Sequence, residues 1–141
     1  MSSAVPPDRD LAWLLRGLAE RVPHTRSVVL LSTDGLLKAV HGMDRDSAEH
    51  LSAIASGLFS LARSAGSKFG GADGVRQVVV ELEDTLLFIS AAGFGSGLAV
   101  LADRSAEAGV LGYEMAQLIK SVRPFLATPT RHAAAAQQPA P

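Results

Sequence analysis

The segment most suggestive of chemistry is the glycine-rich run Gly93–Gly97, which resembles a loop that cradles a phosphate. Such loops bind anions when they lead into a helix, because the free amides of the first helical turn receive the charge. Here the run leads into Leu98–Ala102, an apolar segment typical of a strand. We therefore predict a hairpin turn at Gly93–Gly97 and no cofactor-binding loop.

The titratable side chains are also too scattered to predict a catalytic or metal centre. A zinc site needs ligands at short spacing, such as HxxxH on one helix, and no pair of that kind occurs among His24, His41, His50 and His132. We interpret the acidic cluster Glu81, Glu83 and Asp84 as a solvated hairpin end, since nothing places a second group opposite it. The absence of cysteine excludes thiolate chemistry. We expect a protein that is not an enzyme and holds no metal or cofactor.

The composition excludes other classes of function. With 48% hydrophobic and 19% charged residues among 141, the chain is typical of one globular domain. Its net charge is −1 without a basic stripe, and only 5% of its residues are aromatic, which argues against nucleic-acid binding. Apolar runs such as Val28–Leu31 and Leu86–Ile89 are far shorter than the roughly 20 residues that span a bilayer. Met1–Asp10 has no apolar signal segment. We expect a cytoplasmic protein without direct membrane insertion.

The apolar pattern predicts the order helix, two strands, helix, three strands, helix. The helices are predicted from Asp8 to Val22, from Asp44 or Asp46 to about Ala65, and from a cap at Ser105 to an end at Pro124. The strands are predicted at Val28–Leu31, Leu36–Val40, Arg76–Leu82, Thr85–Ala92 and Leu98–Ala102. Because tight turns such as Asp34–Gly35 join most of them, we predict an α/β (α+β) fold, with a five-stranded antiparallel sheet and helices on both faces.

One folded domain is predicted over residues 8–127. Residues 1–7 are interpreted as a disordered arm, and residues 128–141, rich in Ala, Gln and Pro, as a disordered tail without core residues. Within the domain, Gly66–Gly74 is predicted to be a loop.

The central helix carries two contrasting faces. A broad apolar stripe is predicted to face the sheet, and it consists of Leu51, Ile54, Ala55, Leu58, Phe59, Leu61, Ala62 and Ala65. A solvated helix face usually carries Glu and Lys, but the opposite face here carries small residues, namely Ala53, Ser56, Gly57, Ser60 and Ser64. Small residues at this spacing let a second helix approach closely. The alternative explanation for the small residues on this face is compositional drift in an alanine-rich sequence. We interpret the face as a docking surface.

Trp13 is a second candidate contact residue. It lies opposite the stripe formed by Leu11, Leu15 and Leu18 on the first helix, where a large apolar ring should not be exposed without a reason. The ring either bends back over a sheet edge or anchors an interface, as tryptophan often does. The sequence leaves both interpretations open.

The element order and several segments resemble the Roadblock/LC7 family, in particular its actinobacterial branch. The segments that carry the resemblance are Asp10–Leu15, Val28–Leu37, Gly74–Glu81, Gly97–Asp103 and Gly112–Met115. The resemblance extends from about Asp8 to Thr128, and it rests on the order and spacing of these segments.

This resemblance implies a homodimer in which two five-stranded sheets join at their middle strands and the central helices pair on one face. By resemblance, Arg76–Leu82, with Arg76, Val78 and Val80, would pair across the dimer, and Ala53–Ser64 would lie near the two-fold axis. The resemblance also implies a small Ras-like GTPase as partner and, in the actinobacterial branch, a histidine-kinase-like sensor. The family has no common catalytic set.

We therefore expect a non-catalytic homodimeric scaffold that binds a small Ras-like GTPase and modulates its nucleotide cycle or its localisation in a signalling complex. The alternative is a small-molecule sensory domain of related α/β shape, which would need a pocket with convergent polar groups. An enzyme would need polar groups at Gly93–Gly97 that the sequence does not supply.

Overall fold

The computed structural model describes residues 7–70 and 74–127, and the helices and strands follow the predicted order. The helices are α1 (Pro7–Arg21), α2 (Arg45–Phe69) and α3 (Ala108–Ala127). The strands are β1 (Thr25–Ser32), β2 (Leu37–His41), β3 (Val78–Glu81), β4 (Thr85–Gly93) and β5 (Ser96–Asp103). The predicted arm and tail fall on residues 1–6 and 128–141, which lie outside the described residues, except that Pro7 already belongs to α1.

The five strands form one antiparallel sheet in the order β2-β1-β5-β4-β3, as predicted. The hairpin β1–β2 and the meander β3–β4–β5 join side by side, because β5 pairs with β1 as well as with β4. The third strand in chain order, β3, therefore lies at the edge of the sheet.

Helices cover both faces of the sheet and create two separate cores. Phe88, Leu98 and Val100 pack under α1 and α3, whereas Leu87 and Ile89 pack under α2. Successive residues of a strand point to opposite faces, so a strand that is buried on both sides must be apolar throughout. This explains the uninterrupted apolar runs in β1 and β4.

Positive φ angles mark the tight turns. Gly35, in the β1–β2 turn, has φ +91°, and the β4–β5 turn is made by Phe94 and Gly95, so the predicted hairpin at the glycine-rich run is present. Gly42, which follows β2, has φ +93°. A Cβ at Gly42 would lie 2.2 Å from the carbonyl oxygen of Arg26, so only glycine fits there.

Helix α2 is longer than predicted and replaces the first part of the predicted loop Gly66–Gly74. It continues past Ala65 to Phe69, and the amide of Gly70 still donates to the carbonyl of Gly66 over 2.9 Å. Serine and glycine in the last turns lower helix propensity only by up to about 1 kcal/mol each, which a helix that is already formed and packed can absorb.

Both predicted ends of α3 are wrong. Ser105 does not cap the helix, because residues 103–106 form a separate turn in which the amide of Ala106 donates to the carbonyl of Asp103 over 2.9 Å. Pro124 lies inside the helix and does not end it. The turn that contains Pro124 is held in place because Leu126 is buried and Phe125 packs against the core. Packing has overridden the usual effect of proline.

Candidate protein-interaction surface

Helix α2 is fixed at its start by a side-chain cap. The carboxylate of Asp44 accepts hydrogen bonds from the backbone amide of Ser47 over 3.1 Å and from its hydroxyl over 2.7 Å. These two bonds favour the ionised carboxylate and lower the pKa of Asp44 below its ordinary value of 3.8. The cap agrees with the predicted helix start.

The buried side of α2 is narrower than predicted. The residues fully covered by the sheet are Ala48, Leu51, Ser52 and Ala55, with Leu58 and Phe59 packed partly against them. Ile54 is 48% exposed, Leu61 is 70% exposed and Ala65 is exposed, so their assignment to the core is wrong. At about 100° per residue, these three lie roughly 80–120° around the helix from Ala55, beyond the arc that the sheet covers.

The small-residue face of α2 is exposed at four of its five predicted positions, namely Ala53, Gly57, Ser60 and Ser64. A Cβ built on Gly57 meets no atom within 4 Å. Ser56 differs, since it is half-buried and its hydroxyl donates to the carbonyl of Thr33 over 2.7 Å. Ser56 therefore anchors α2 to the β1–β2 turn.

Exposed apolar residues lie beside the small ones and form one continuous surface with them. We call this surface the outer face of α2, and it consists of Ala53, Ile54, Gly57, Ser60, Leu61 and Ser64. Sequence reasoning missed Ile54 and Leu61. A signal for both was available, because no Asp, Glu, Lys or Arg occurs from His50 to Ala62 on any side of the helix.

Charge on α2 is divided between its two ends. The N-terminal end carries Asp46 and Glu49 with Arg45, and Arg45 forms an ion pair of 3.1 Å with Glu49. The C-terminal end carries Arg63 and Lys68 and no carboxylate. The helix is therefore acidic at one end, basic at the other and uncharged between them.

Strand β3 offers an unpaired edge next to this helix. Within the part of the chain that the structure describes, β3 pairs with β4 alone. Val78 and Val80 are half-buried against the core under α2, whereas Val79 is 51% exposed on the other face. The amide of Leu82 donates to Thr85 in the turn, and by alternation the backbone groups of Val79 and Glu81 point away from β4.

Trp13 lies apart from this surface. Its ring is 63% exposed and lines a groove of about 320 Å³ between α1 and α3, together with Leu118 and Ser121. Helices α1 and α3 cover the opposite face of the sheet from α2. The ring is therefore placed between two helices on the far side of the molecule. Arg76, in contrast, is exposed before β3, which spans Val78–Glu81 and is shorter than the predicted strand Arg76–Leu82.

The other candidate groups do not come together. In the described residues no three His, Asp or Glu side chains are close enough to hold a metal ion. The acidic residues Glu81, Glu83 and Asp84 are exposed at the β3–β4 turn, where the guanidinium of Arg104 donates to the carbonyl oxygens of Leu82 and Glu83. None of the helices in the described residues is long and apolar enough to cross a membrane.

Comparison with known proteins identifies the domain. The sequence matches the model of the Roadblock/LC7 domain over residues 11–102. A crystal structure of a Roadblock/LC7 domain from Streptomyces avermitilis is 67% identical, covering 82% of this chain and 96% of its own, with a TM-score of 0.79. A second domain from that organism is 38% identical over 79% of this chain and 96% of its own, with a TM-score of 0.64.

More distant structures share the fold alone. A structure of MglB in a tetrameric arrangement is 16% identical, covers 88% of this chain and 93% of its own, and has a TM-score of 0.77. No match is found among curated proteins. The family match over residues 11–102 spans more than half of the chain, and the 67% identical structure covers 82% of it, so the chain belongs to the Roadblock/LC7 domain family.

Proposed function

We propose that this protein is a non-catalytic homodimer that binds a small Ras-like GTPase through a surface built by both copies, in the cytoplasm. The observation that carries the proposal is the juxtaposition of the exposed outer face of α2 with the unpaired edge of β3. An apolar helix face and a free strand edge are each costly to leave in water, and one second copy can cover both.

Strand geometry supports self-pairing. When two identical strands pair antiparallel in one continuous sheet, opposite residues point to the same face. Pairing centred on Val79 places Val78 of one copy opposite Val80 of the other, so that both remain on the face covered by α2. It also uses the outward backbone groups of Val79 and Glu81, and it would extend the pairing into the residues on either side of β3, so that Glu81 of one copy lies opposite Gln77 of the other.

The charges of α2 support the same two-fold arrangement. If two α2 helices cross antiparallel with their Gly57 residues in contact, equal steps along each helix bring Asp46 of one copy towards Lys68 of the other. Exposed ion pairs contribute only about 0–1 kcal/mol each, so they would set the direction of pairing more than its strength. The uncharged segment between the two ends would carry the contact.

Membership of the family supports a GTPase as partner, since the family resemblance implies regulators or scaffolds of small Ras-like GTPases. We assign no catalytic residue to this chain, so it would act by positioning the GTPase or its switch segments. A histidine-kinase-like sensor is proposed as a further member of the same signalling complex. The resemblance to the actinobacterial branch supports this second partner.

Binding and nucleotide turnover test the GTPase proposal. The full chain would be mixed with a small Ras-like GTPase from the same organism, loaded in turn with GDP and with a non-hydrolysable GTP analogue. We expect saturable binding by calorimetry that differs between the two nucleotide states, together with a changed rate of hydrolysis or exchange. Gly57→Glu on α2 should weaken this binding, because the GTPase is proposed to bind a surface built by both copies, and Gly109→Glu on the opposite face of the sheet serves as its matched control. If neither binding nor rates changed for any such GTPase, the partner would be wrong.

A further inference from the structure

A small, partly enclosed cavity lies between α2 and the sheet. Its volume is about 70 Å³. An engineered apolar cavity of about 150 Å³ accepts benzene, so this one has room for roughly three carbon atoms. The floor is mainly apolar, with Leu31, Ala55 and Ile89 buried, Phe59 and Gly97 half-buried and Ala91 exposed beside them. Two buried serines, Ser90 and Ser96, also line the cavity.

The cavity exists because three elements each contribute a very small residue at the same place. These residues are Ala55 on α2, Ala91 on β4 and Gly97 on β5. A Cβ on Gly97 would make only ordinary contacts, at 3.5 Å from the carbonyl oxygen of Ser90 and 3.7 Å from the side chain of Leu31. The backbone at Gly97 therefore does not require glycine, and the missing methyl group leaves space.

The mouth of the cavity is polar and held in place. Thr33, Ser60 and Arg63 line it together with Ser56, whose hydroxyl donates to the carbonyl of Thr33. The amide of Thr33 in turn donates to the carbonyl of Gly95, which ties the two hairpin turns together. Arg63 forms no ion pair with any residue that the structure describes. An exposed arginine without an ion pair thus lines a mainly apolar cavity.

We propose that this cavity binds a short-chain monocarboxylate, with its alkyl tail inside and its carboxylate at Arg63. The order of apolar floor and cationic mouth requires the tail to enter first. An acidic side chain of a protein would have to enter with its carboxylate first, so the ligand is a free small acid. All of the lining residues belong to one copy of the chain, and one of them, Ser60, also lies at the margin of the outer face of α2.

Nuclear magnetic resonance titration of the full chain with acetate, propionate, butyrate and hexanoate tests the proposal. We expect saturable shifts of the amides of Ser60, Ala91 and Gly97. Affinity should rise about fourfold for each added methylene up to butyrate, because each is worth about 0.8 kcal/mol when buried, and should fall for hexanoate, which exceeds the cavity. Equal affinity for acetate and butyrate would overturn the proposal, since it would show simple ion pairing.

Two matched pairs of variants locate the ligand. Arg63→Gln should weaken butyrate binding roughly three- to tenfold, whereas Arg45→Gln on the same helix should leave it unchanged. Gly97→Ala adds one methyl group to the floor and should weaken butyrate more than acetate, whereas Gly109→Ala, in open space on α3, should affect neither. If the two variants of either pair weakened butyrate binding equally, or if the amides showed no saturable shifts, the proposed site would be wrong.

Discussion

At the scale of single residues, the cap at Asp44 fixes where α2 begins. Two hydrogen bonds from Ser47 stabilise the ionised carboxylate, so the pKa of Asp44 in the folded protein lies below its value in the unfolded chain. Because the pKa of Asp44 is lower in the folded protein, its ionised carboxylate stabilises the fold at pH values above the pKa of the unfolded chain, which is about 3.8. This stabilisation is lost as the pH falls through the lower pKa of the folded protein.

The variant Asp44→Asn tests this charge, because asparagine is also a good cap but carries none. We expect the native protein to have a higher urea midpoint than Asp44→Asn at neutral pH, since the carboxylate also faces the positive end of the helix dipole. The difference should vanish as the pH falls below the ordinary range of an aspartate. A difference that stayed constant with pH would mean that the charge of Asp44 has no part in the stability of α2.

At the scale of elements, the edge of β3 should be the most sensitive strand. Val79→Lys places a cation at the centre of the proposed strand pairing, where two copies would bring the same charge together. Because Val79 is half-exposed in the single chain, the fold should tolerate the change, while the dimer should weaken by about 1–3 kcal/mol, or roughly five- to 150-fold in its dissociation constant.

Val110→Lys is the control for this variant. Val110 is 43% exposed at the start of α3, on the face of the sheet opposite to α2. Analytical ultracentrifugation of both variants would measure the dissociation constants. If Val79→Lys and Val110→Lys behaved alike, the edge of β3 would not be the site of pairing.

The helices and strands also show how much of the fold can be predicted from the sequence. Their types and order follow from apolar spacing and turn residues, and the cap of α2 follows from Asp44. The ends of α3 do not follow from the sequence in this way. Ser105 and Pro124 have strong local preferences for helix ends, and the packing of Ala106 and Leu126 overrides them. Periodicity alone does not predict the exposure of Ile54 and Leu61, since it shows that a helix is apolar on one side but not how wide an arc the sheet covers. The signal that the sequence does carry is the absence of charge from His50 to Ala62.

At the scale of the whole molecule, the two sides of the sheet differ in what they leave exposed. Helices α1 and α3 lie together on one side and form the larger core, while α2 alone covers the other. One helix thus leaves both its own outer face and the β3 edge for a second copy.

The mass of the protein in solution tests the central claim most directly. Size-exclusion chromatography with light scattering at micromolar concentration should give twice the 14.7 kDa of the single chain for the native protein and for Gly109→Glu. Gly57→Glu should give a folded single chain, because a Cβ at this position meets no atom of its own copy within 4 Å, whereas the longer side chain enters the helix contact between the copies. A native protein of 14.7 kDa, or a Gly57→Glu variant that dimerises as tightly as Gly109→Glu, would contradict the account.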